Sequence, residues 1–219
     1  EIPFENEMGY DVIEGDAIEC RDNGMAGISL NPLGSRTILW SARNRLQKPI
    51  HAGWGVLCHI TSIPNGEKTG TLGAPAERFI DGLQAMGAAY WQVLPINPTD
   101  SHDSPYAGPS AFAGNEKLLA ETPDELKSEY DRFCLTRGFD SPAYRSFEDD
   151  NAYWLEPYCA YRAIWEREGH PTWTTWPTHY RSYAVGLLED PELKDIARYH
   201  AYLQFRFNQA WCDLVEYAH

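Results

Sequence analysis

Two apolar runs separated by an amphipathic segment restrict the fold of this chain more than any other feature of its sequence. The runs are 55–60 and 88–96, and the segment between them, 76–87, ends at Gly87, the expected helix C-cap. The apolar residues of that segment recur at helical spacing on one face: Phe79, Ile80, Leu83 and Met86. Strand, helix and strand in this order, with both strands apolar throughout, predict an α/β fold with a parallel βαβ unit buried on both faces of its sheet.

The residues after this unit are predicted to be mainly helical. Residues 97–115 are rich in proline and glycine and predict a loop, whereas 116–150 are polar with weak periodicity. Helical patterns follow at 151–168 and at 192–219, and the second begins behind Asp190-Pro191, a capping residue followed by proline. A long helical segment is therefore expected after the two strands.

The first 40 residues have a different pattern from the rest of the chain. Short runs of β-branched and aromatic residues occur at 10–13, 27–30 and 36–40. The turn dipeptides Asn23-Gly24 and Asn31-Pro32 separate them, which is typical of antiparallel strands. Residues 1–40 are therefore predicted to be a small antiparallel β segment, either an N-terminal extension or the end of an upstream β-domain. Residues 41–50 then indicate a linker, and 51–219 a second domain.

The charge balance excludes two classes of partner. The chain carries 18 Lys and Arg against 32 Asp and Glu, a formal charge of −14. Nucleic acids and anionic membranes bind basic surfaces, so neither is expected as a partner. The longest mostly apolar stretch, 85–96, is also far shorter than the roughly 20 residues that a membrane-spanning helix needs.

Cysteine usage and the chain ends add two expectations. The five cysteines are odd in number and scattered, with no C-x-x-C pair, which indicates reduced thiols in a cytoplasmic protein. The chain begins with Glu1 instead of methionine and stops inside a helical pattern, so we expect it to be a piece of a longer protein.

The loop at 97–115 is the strongest candidate for a ligand contact. In parallel α/β folds ligands bind at the carboxyl ends of the strands, and this loop follows the second predicted strand. Its hydroxyl groups, tyrosine and asparagine suit a sugar or a nucleotide, and a structural lid is the alternative. Asp100, His102 and Asp103 could ligate a metal, but three neighbouring polar residues more often form turns, and no metal site is expected.

Familiar catalytic templates do not match the sequence. It contains no G-x-G-x-x-G, no Walker loop, no H-E-x-x-H and no calcium-binding loop. The segment that follows Gly108 lacks the second glycine of a nucleophile elbow, which argues against a serine hydrolase.

Five ordered motifs resemble one known family. They read GWGVLCHITSIP at 53–64, FIDGL at 79–83, YWQVLPI at 90–96, DSPY at 103–106 and SAFAGN at 110–115. Later segments continue the match at 154–155, 158–161, 173–177 and 204–211. On these motifs the chain resembles the amylomaltase family, also called 4-alpha-glucanotransferases or disproportionating enzymes, over about residues 50–219. Residues 9–40 resemble, more weakly, the closing strands of the C-terminal β-domain of α-amylase-type glucan hydrolases.

The resemblance implies a (β/α)₈ barrel, or TIM barrel, with a large helical insertion. Such a barrel takes about 250 residues, so the chain would hold an incomplete barrel consisting of the first two strands and the insertion. In the family, the nucleophilic aspartate, the acid/base glutamate and a third aspartate lie on later strands. The resemblance therefore implies that no catalytic residue falls within this chain and that the chain alone is inactive.

The function implied by the resemblance is retaining transfer of α-1,4-glucan segments to the 4-hydroxyl of another glucan or of glucose. The substrate would be an α-1,4-glucan or a maltooligosaccharide, and no cofactor is expected because carboxylates carry the chemistry. One alternative is a non-catalytic glucan-binding fragment that uses aromatic platforms such as Trp173 and Trp176. The other is a hydrolase of the same barrel group.

Four substrate-binding residues are also implied by the resemblance. Ser104 and Tyr106 match the family's Ser-Pro-Tyr segment beside the donor sugar, where the tyrosine would stack on a sugar ring and the serine would bond to a hydroxyl. Asn115 ends the last matched loop motif. His59 lies near the end of the first strand, where a site role and a core role both remain open. The family usually has glutamine where this chain has Ala107, which removes one polar contact.

Overall fold

The computed structural model describes residues 52–66, 69–169, 172–184 and 186–219, together with five short strands among the first 40 residues. The chain divides into two compact units, Glu1–Gly53 and Trp54–His219. No helix of the described residues is both long and apolar enough to cross a membrane.

The described strands of the first unit pair antiparallel. They are β1 (Ile2–Pro3), β2 (Met8–Asp11), β3 (Ala17–Glu19), β4 (Met25–Ala26) and β5 (Ile38–Trp40). β1 pairs with β4, and β2 lies between β3 and β5 in a three-stranded sheet. The predicted runs at 10–13 and 36–40 overlap β2 and β5, whereas the run at 27–30 and the linker at 41–50 lie outside the described residues.

The second unit opens with the predicted strand, helix and strand. They are β6 (Gly55–Leu57), α1 (Ala74–Ala85) and β7 (Tyr90–Gln92). β6 and β7 pair in parallel, with Val56 opposite Trp91, so the predicted parallel βαβ pairing is confirmed. Gly87 has a φ of 76°, a left-handed conformation that favours glycine and ends the helix as predicted.

The prediction that both faces of these strands are buried is wrong for the described chain. Successive side chains of a strand point to opposite faces, and here one face is covered while the other is exposed. Trp91 packs its ring against Phe79 of α1, with 5.1 Å between the ring centroids. Leu57 and Tyr90 lie on the other face and are exposed, and Met86, predicted to face the core, is exposed as well.

Among the described residues four more α-helices follow, and two of them were not predicted. They are α2 (Pro123–Leu135), α3 (Pro142–Asn151), α4 (Leu155–Arg167) and α5 (Pro191–Ala218). The predicted helices at 151–168 and 192–219 correspond to α4 and α5, and Asp190 caps α5 by accepting a hydrogen bond from the Glu192 N–H at 3.0 Å. α2 and α3 fall in the polar segment 116–150, where periodicity is weak.

Helix α5 supplies buried residues to two hydrophobic clusters. Leu193 and Ala197 belong to the first cluster, which is built mainly from α3 and α4. Leu203 and Phe207 belong to the second cluster, which includes residues of α1 and α2. α5 therefore connects the strand-bearing part of the unit with its helical part.

The buried position of Leu193 generates a stability prediction. Leu193 is 0% exposed, whereas Leu135, at the end of α2, is 85% exposed. We expect Leu193→Ala to lower the free energy of unfolding by about 2–5 kcal/mol, because it removes buried methyl groups and leaves a cavity. Leu135→Ala, the same chemical change on the surface, should change it by less than about 0.5 kcal/mol. Urea unfolding of the two variants measures both values, and equal losses would contradict the assignment of the core.

Candidate functional site

The loop after β7 returns to its own starting point. The backbone N–H of Asn115 donates to the carbonyl oxygen of Ile96 at 2.8 Å, and the side-chain amide of Asn97 donates to the Pro105 carbonyl at 3.0 Å. Gly108 packs closely on Pro98: a Cβ atom at residue 108 would lie 1.7 Å from the Pro98 carbonyl oxygen. The loop is therefore closed at its base.

A carboxylate turn precedes the Ser-Pro-Tyr segment. Asp100 accepts hydrogen bonds from the backbone N–H groups of Ser104 at 2.8 Å and His102 at 2.9 Å. These two bonds, that of Ser104 first, hold the pKa of the Asp100 carboxyl below its usual range. The Asp100 carboxylate thus forms a turn, the role that the sequence analysis preferred for this segment. Within the described ranges, no group of three or more His, Cys, Asp or Glu residues could hold a metal ion.

Two of the predicted substrate-binding residues lie on the accessible side of this loop. Tyr106 is 72% exposed, so its ring is free to stack on a planar or cyclic ligand. Ser104 is half-buried, and its hydroxyl oxygen accepts a hydrogen bond from the Tyr106 N–H at 3.4 Å. Since the loop is closed at its base, both side chains are presented on a defined backbone.

Asn115 is buried, and its side chain serves the local backbone. Its Oδ1 atom accepts a hydrogen bond from the Lys117 N–H at 3.1 Å and so caps the 3₁₀ turn Glu116–Leu118. Together with the bond from its own N–H to Ile96, this places Asn115 at the point where the loop closes.

His59 follows β6, and its imidazole is half-buried. Its Nδ1 atom is buried without a hydrogen-bond partner among the described residues, and burial lowers the pKa of the imidazole. Because β6 and β7 are parallel, their carboxyl ends lie at the same edge of the sheet. His59 follows β6 and the loop at 97–115 follows β7, so both lie at this edge.

A glutamine that the sequence analysis did not single out holds the other end of the loop. Gln204 of α5 accepts a hydrogen bond from the Gly114 N–H at 2.7 Å and donates one to the Gly114 carbonyl at 3.0 Å. The available sequence signal was a single amide between Leu203 and Phe205, on an amphipathic helix. Such a side chain needs a buried polar partner, but the sequence does not say which one.

An ion pair fixes the chain immediately after the loop. Arg162 of α4 lies 2.9 Å from the Glu116 carboxylate, and both side chains are largely buried. Burial disfavours the charged guanidinium, but the nearby Glu116, Tyr158 and Glu166 side chains together outweigh burial and raise the pKa of Arg162. The pair therefore ties the end of the loop to α4.

A cleft of about 410 Å³ lies beside the base of the loop. Its lining includes Asn97, Phe112, Trp154 and Trp211. This volume falls within the range of small-ligand sites, and aromatic rings with amides are the groups that bind sugars through stacking and hydrogen bonds.

Trp173 and Trp176, the aromatic platforms predicted for a glucan-binding fragment, are not both accessible. Trp176 is 3% exposed and packs against Tyr161, with 5.4 Å between the ring centroids. Trp173 is exposed. The prediction that both rings are available to a ligand is therefore wrong for Trp176, which belongs to the first hydrophobic cluster.

Comparison with known proteins agrees with the motifs. Residues 58–133 and 124–219 match the family described as 4-alpha-glucanotransferase, glycoside hydrolase family 77. The 4-alpha-glucanotransferase of Aquifex aeolicus is 33% identical over 195 residues, covering 75% of this chain and 40% of that protein. The enzyme of the same name from Thermus thermophilus is 31% identical over 190 residues, covering 72% of this chain and 38% of that protein.

A solved structure has the same fold over most of the chain. It is amylomaltase from Streptococcus agalactiae in complex with acarbose, with a TM-score of 0.66 and 26% sequence identity, covering 77% of this chain and 41% of that one. The chain spans about two fifths of the length of the relatives it matches. The resemblance to amylomaltases is thereby confirmed, and the chain belongs to the 4-alpha-glucanotransferase family, glycoside hydrolase family 77.

Proposed function

We propose that this chain forms part of the substrate cleft of an enzyme that transfers α-1,4-glucan segments to the 4-hydroxyl of an acceptor glucan or of glucose. The observation that carries the proposal is the closed loop at 97–115, which presents the exposed ring of Tyr106 in a chain of this family. A rigid aromatic platform beside hydroxyl and amide groups matches the alternating apolar faces and hydroxyls of a glucose ring.

The fold proposed for the complete enzyme is a (β/α)₈ barrel in which β6 and β7 are the first two strands. α2, α3 and α4 would form a helical insertion, and α5 would lead back towards the barrel. Two observations support this arrangement: the strands are parallel, and the sheet face with Leu57 and Tyr90 is exposed in the described chain. A barrel takes about 250 residues, and the matched relatives are more than twice as long as their matched part.

The proposed reaction proceeds in two steps at the anomeric carbon. A carboxylate attacks that carbon, and the bond to the leaving glycosidic oxygen breaks as a second carboxylic acid protonates this oxygen. The second group, now a carboxylate, then takes the proton from the acceptor's 4-hydroxyl, whose oxygen displaces the first carboxylate. Both carboxylates are proposed to lie on later strands, outside this chain, and the chemistry needs no cofactor.

Each predicted site residue keeps a proposed role. Tyr106 would stack on the sugar beside the cleaved bond, and Ser104 would bond to one of its hydroxyls. The imidazole of His59, whose pKa is lowered by burial, would bond to a hydroxyl at the same sheet edge. The geometry of Asn115 favours a role in closing the loop over direct contact with the glucan.

The alternatives differ from this proposal in identifiable ways. A hydrolase would use the same residues and admit water in place of the acceptor hydroxyl. A non-catalytic glucan-binding fragment is less supported, because Trp176 is buried. A cytoplasmic location remains a prediction, with which the free cysteines at 58, 134, 159 and 212 agree.

The exposed ring of Tyr106 generates the first activity prediction. In the complete enzyme, Tyr106→Ala should lower kcat/KM for maltotriose disproportionation. The loss of one aromatic contact with the sugar should remove about 1–3 kcal/mol of transition-state stabilisation. Tyr106→Phe keeps the ring and should stay close to the wild type. Initial rates of glucose release from maltotriose measure both variants, and an unchanged kcat/KM in Tyr106→Ala would remove Tyr106 from the site.

The position of the catalytic carboxylates generates a second prediction. The 219-residue chain by itself should not disproportionate maltotriose, whereas the complete enzyme should. Product analysis would compare glucose and longer maltooligosaccharides from both proteins at equal concentration. Products formed by the chain alone would show that its own acidic residues carry the reaction.

A further inference from the structure

We infer that Gln204 is a positioning residue of the proposed glucan site, acting through the peptide group of Gly114 on the loop that carries Ser104 and Tyr106. The inference rests on the proposed function, since the loop has a substrate to position only if it binds the glucan. Gln204 itself lies on α5, is 3% exposed and does not touch the ligand in this assignment.

One side-chain amide satisfies both backbone groups of one residue. The Oε1 atom of Gln204 accepts from the Gly114 N–H at 2.7 Å, and its Nε2 atom donates to the Gly114 carbonyl at 3.0 Å. Both residues are buried, so water cannot easily replace either bond. The arrangement copies the reciprocal pairing of two antiparallel strands and defines the orientation of the Gly114 peptide as well as its position.

Close packing restricts the same peptide from a second direction. A Cβ atom at residue 114 would lie 1.9 Å from the Phe207 ring, so the loop backbone touches α5 at a point that admits only glycine. Residues 204 and 207 are three positions apart and therefore lie on one face of the helix. The hydrogen bonds and the ring contact thus act on Gly114 together.

Because the loop is closed, the position of Tyr106 depends on the position of Gly114. The residue after Gly114 donates its N–H to the Ile96 carbonyl and closes the base of the loop. Ser110 accepts hydrogen bonds from the N–H groups of Phe112 and Ala113, each at 3.1 Å, and so forms a turn between the two ends. A shift of Gly114 away from α5 would therefore displace the chain that leads to Tyr106.

Packing alone does not account for a glutamine at this position. The neighbouring residues Leu203, Phe205 and Phe207 are buried and apolar, and leucine would fill a similar volume without a polar group to satisfy. The side chain of Gln209, on the same helix, makes no hydrogen bond within the described residues and lines a different cleft. It therefore offers a matched control with the same chemical change.

The test compares Gln204→Leu with Gln209→Leu in the complete enzyme. Gln204→Leu should lower kcat/KM for maltotriose by about 10- to 100-fold, because small misplacements of positioning groups have effects of that order. Gln209→Leu should stay within about twofold of the wild type. Circular dichroism and urea unfolding of each variant verify that it is folded, and hydrogen exchange should be faster at the Gly114 amide in Gln204→Leu alone.

Gln204→Glu gives a pH-dependent readout that a loss of packing would not produce. An ionised glutamate can accept from the Gly114 N–H but cannot donate to the carbonyl, whereas the protonated acid does both. Burial beside a carbonyl raises the pKa of this glutamate, so the protonated form is reached at mildly acidic pH. The measured quantity is the kcat/KM of each variant divided by that of the wild type at the same pH. This ratio should rise for Gln204→Glu as the pH falls from about 7 to about 5, and it should stay constant for Gln204→Leu.

The outcomes separate this inference from the proposed function. If the wild-type enzyme transfers no glucan, the proposed function is overturned and the positioning role with it. If the wild type is active and folded Gln204→Leu matches it, or if Gln209→Leu loses as much, the positioning role is overturned and the proposed function stands. If Gln204→Leu does not fold, Gln204→Glu decides, and a ratio that does not change with pH overturns the role.

Discussion

The packing of helix α5 is the interaction on which the rest of residues 54–219 depends. The helix contributes Leu193 and Ala197 to one hydrophobic cluster and Leu203 and Phe207 to the other, so neither cluster is complete without it. The face that carries Phe207 also receives the loop backbone at Gly114. A single helix thus joins the hydrophobic core to the loop that we propose as part of a glucan site.

Buried polar contacts define how the helices and the loop meet. His200 of α5 lies 3.0 Å from the Glu166 carboxylate of α4, and Arg162 pairs with Glu116 next to the loop. Removing charges from water is costly, so the Arg162–Glu116 pair adds little net stability, but removing one of its partners leaves a buried charge. They therefore favour one arrangement of α4, α5 and the loop over others with similar apolar burial.

Local sequence signals predicted several elements and missed others for physical reasons. The strand, helix and strand, the loop after them and the capped α5 follow from periodicity, glycine and proline positions and Asp190. α2 and α3 are largely polar, so periodicity did not indicate them, although Thr122 and Ser141 cap both helices by accepting backbone hydrogen bonds. The burial of the strands was overestimated, because composition shows that a face is apolar and does not show that another element covers it.

By itself the sequence determined the family, through ordered motifs, and indicated the loop that we propose to meet a sugar. The exposure of Tyr106, the closure of the loop by Asn115 and the burial of Trp176 were decided by the tertiary structure alone. The hydrogen bonds between Gln204 and Gly114 were also decided by the tertiary structure, because the two residues are 90 positions apart in the chain. Periodicity and capping act over one or two turns of chain, whereas such contacts exist only after α5 has packed against the loop.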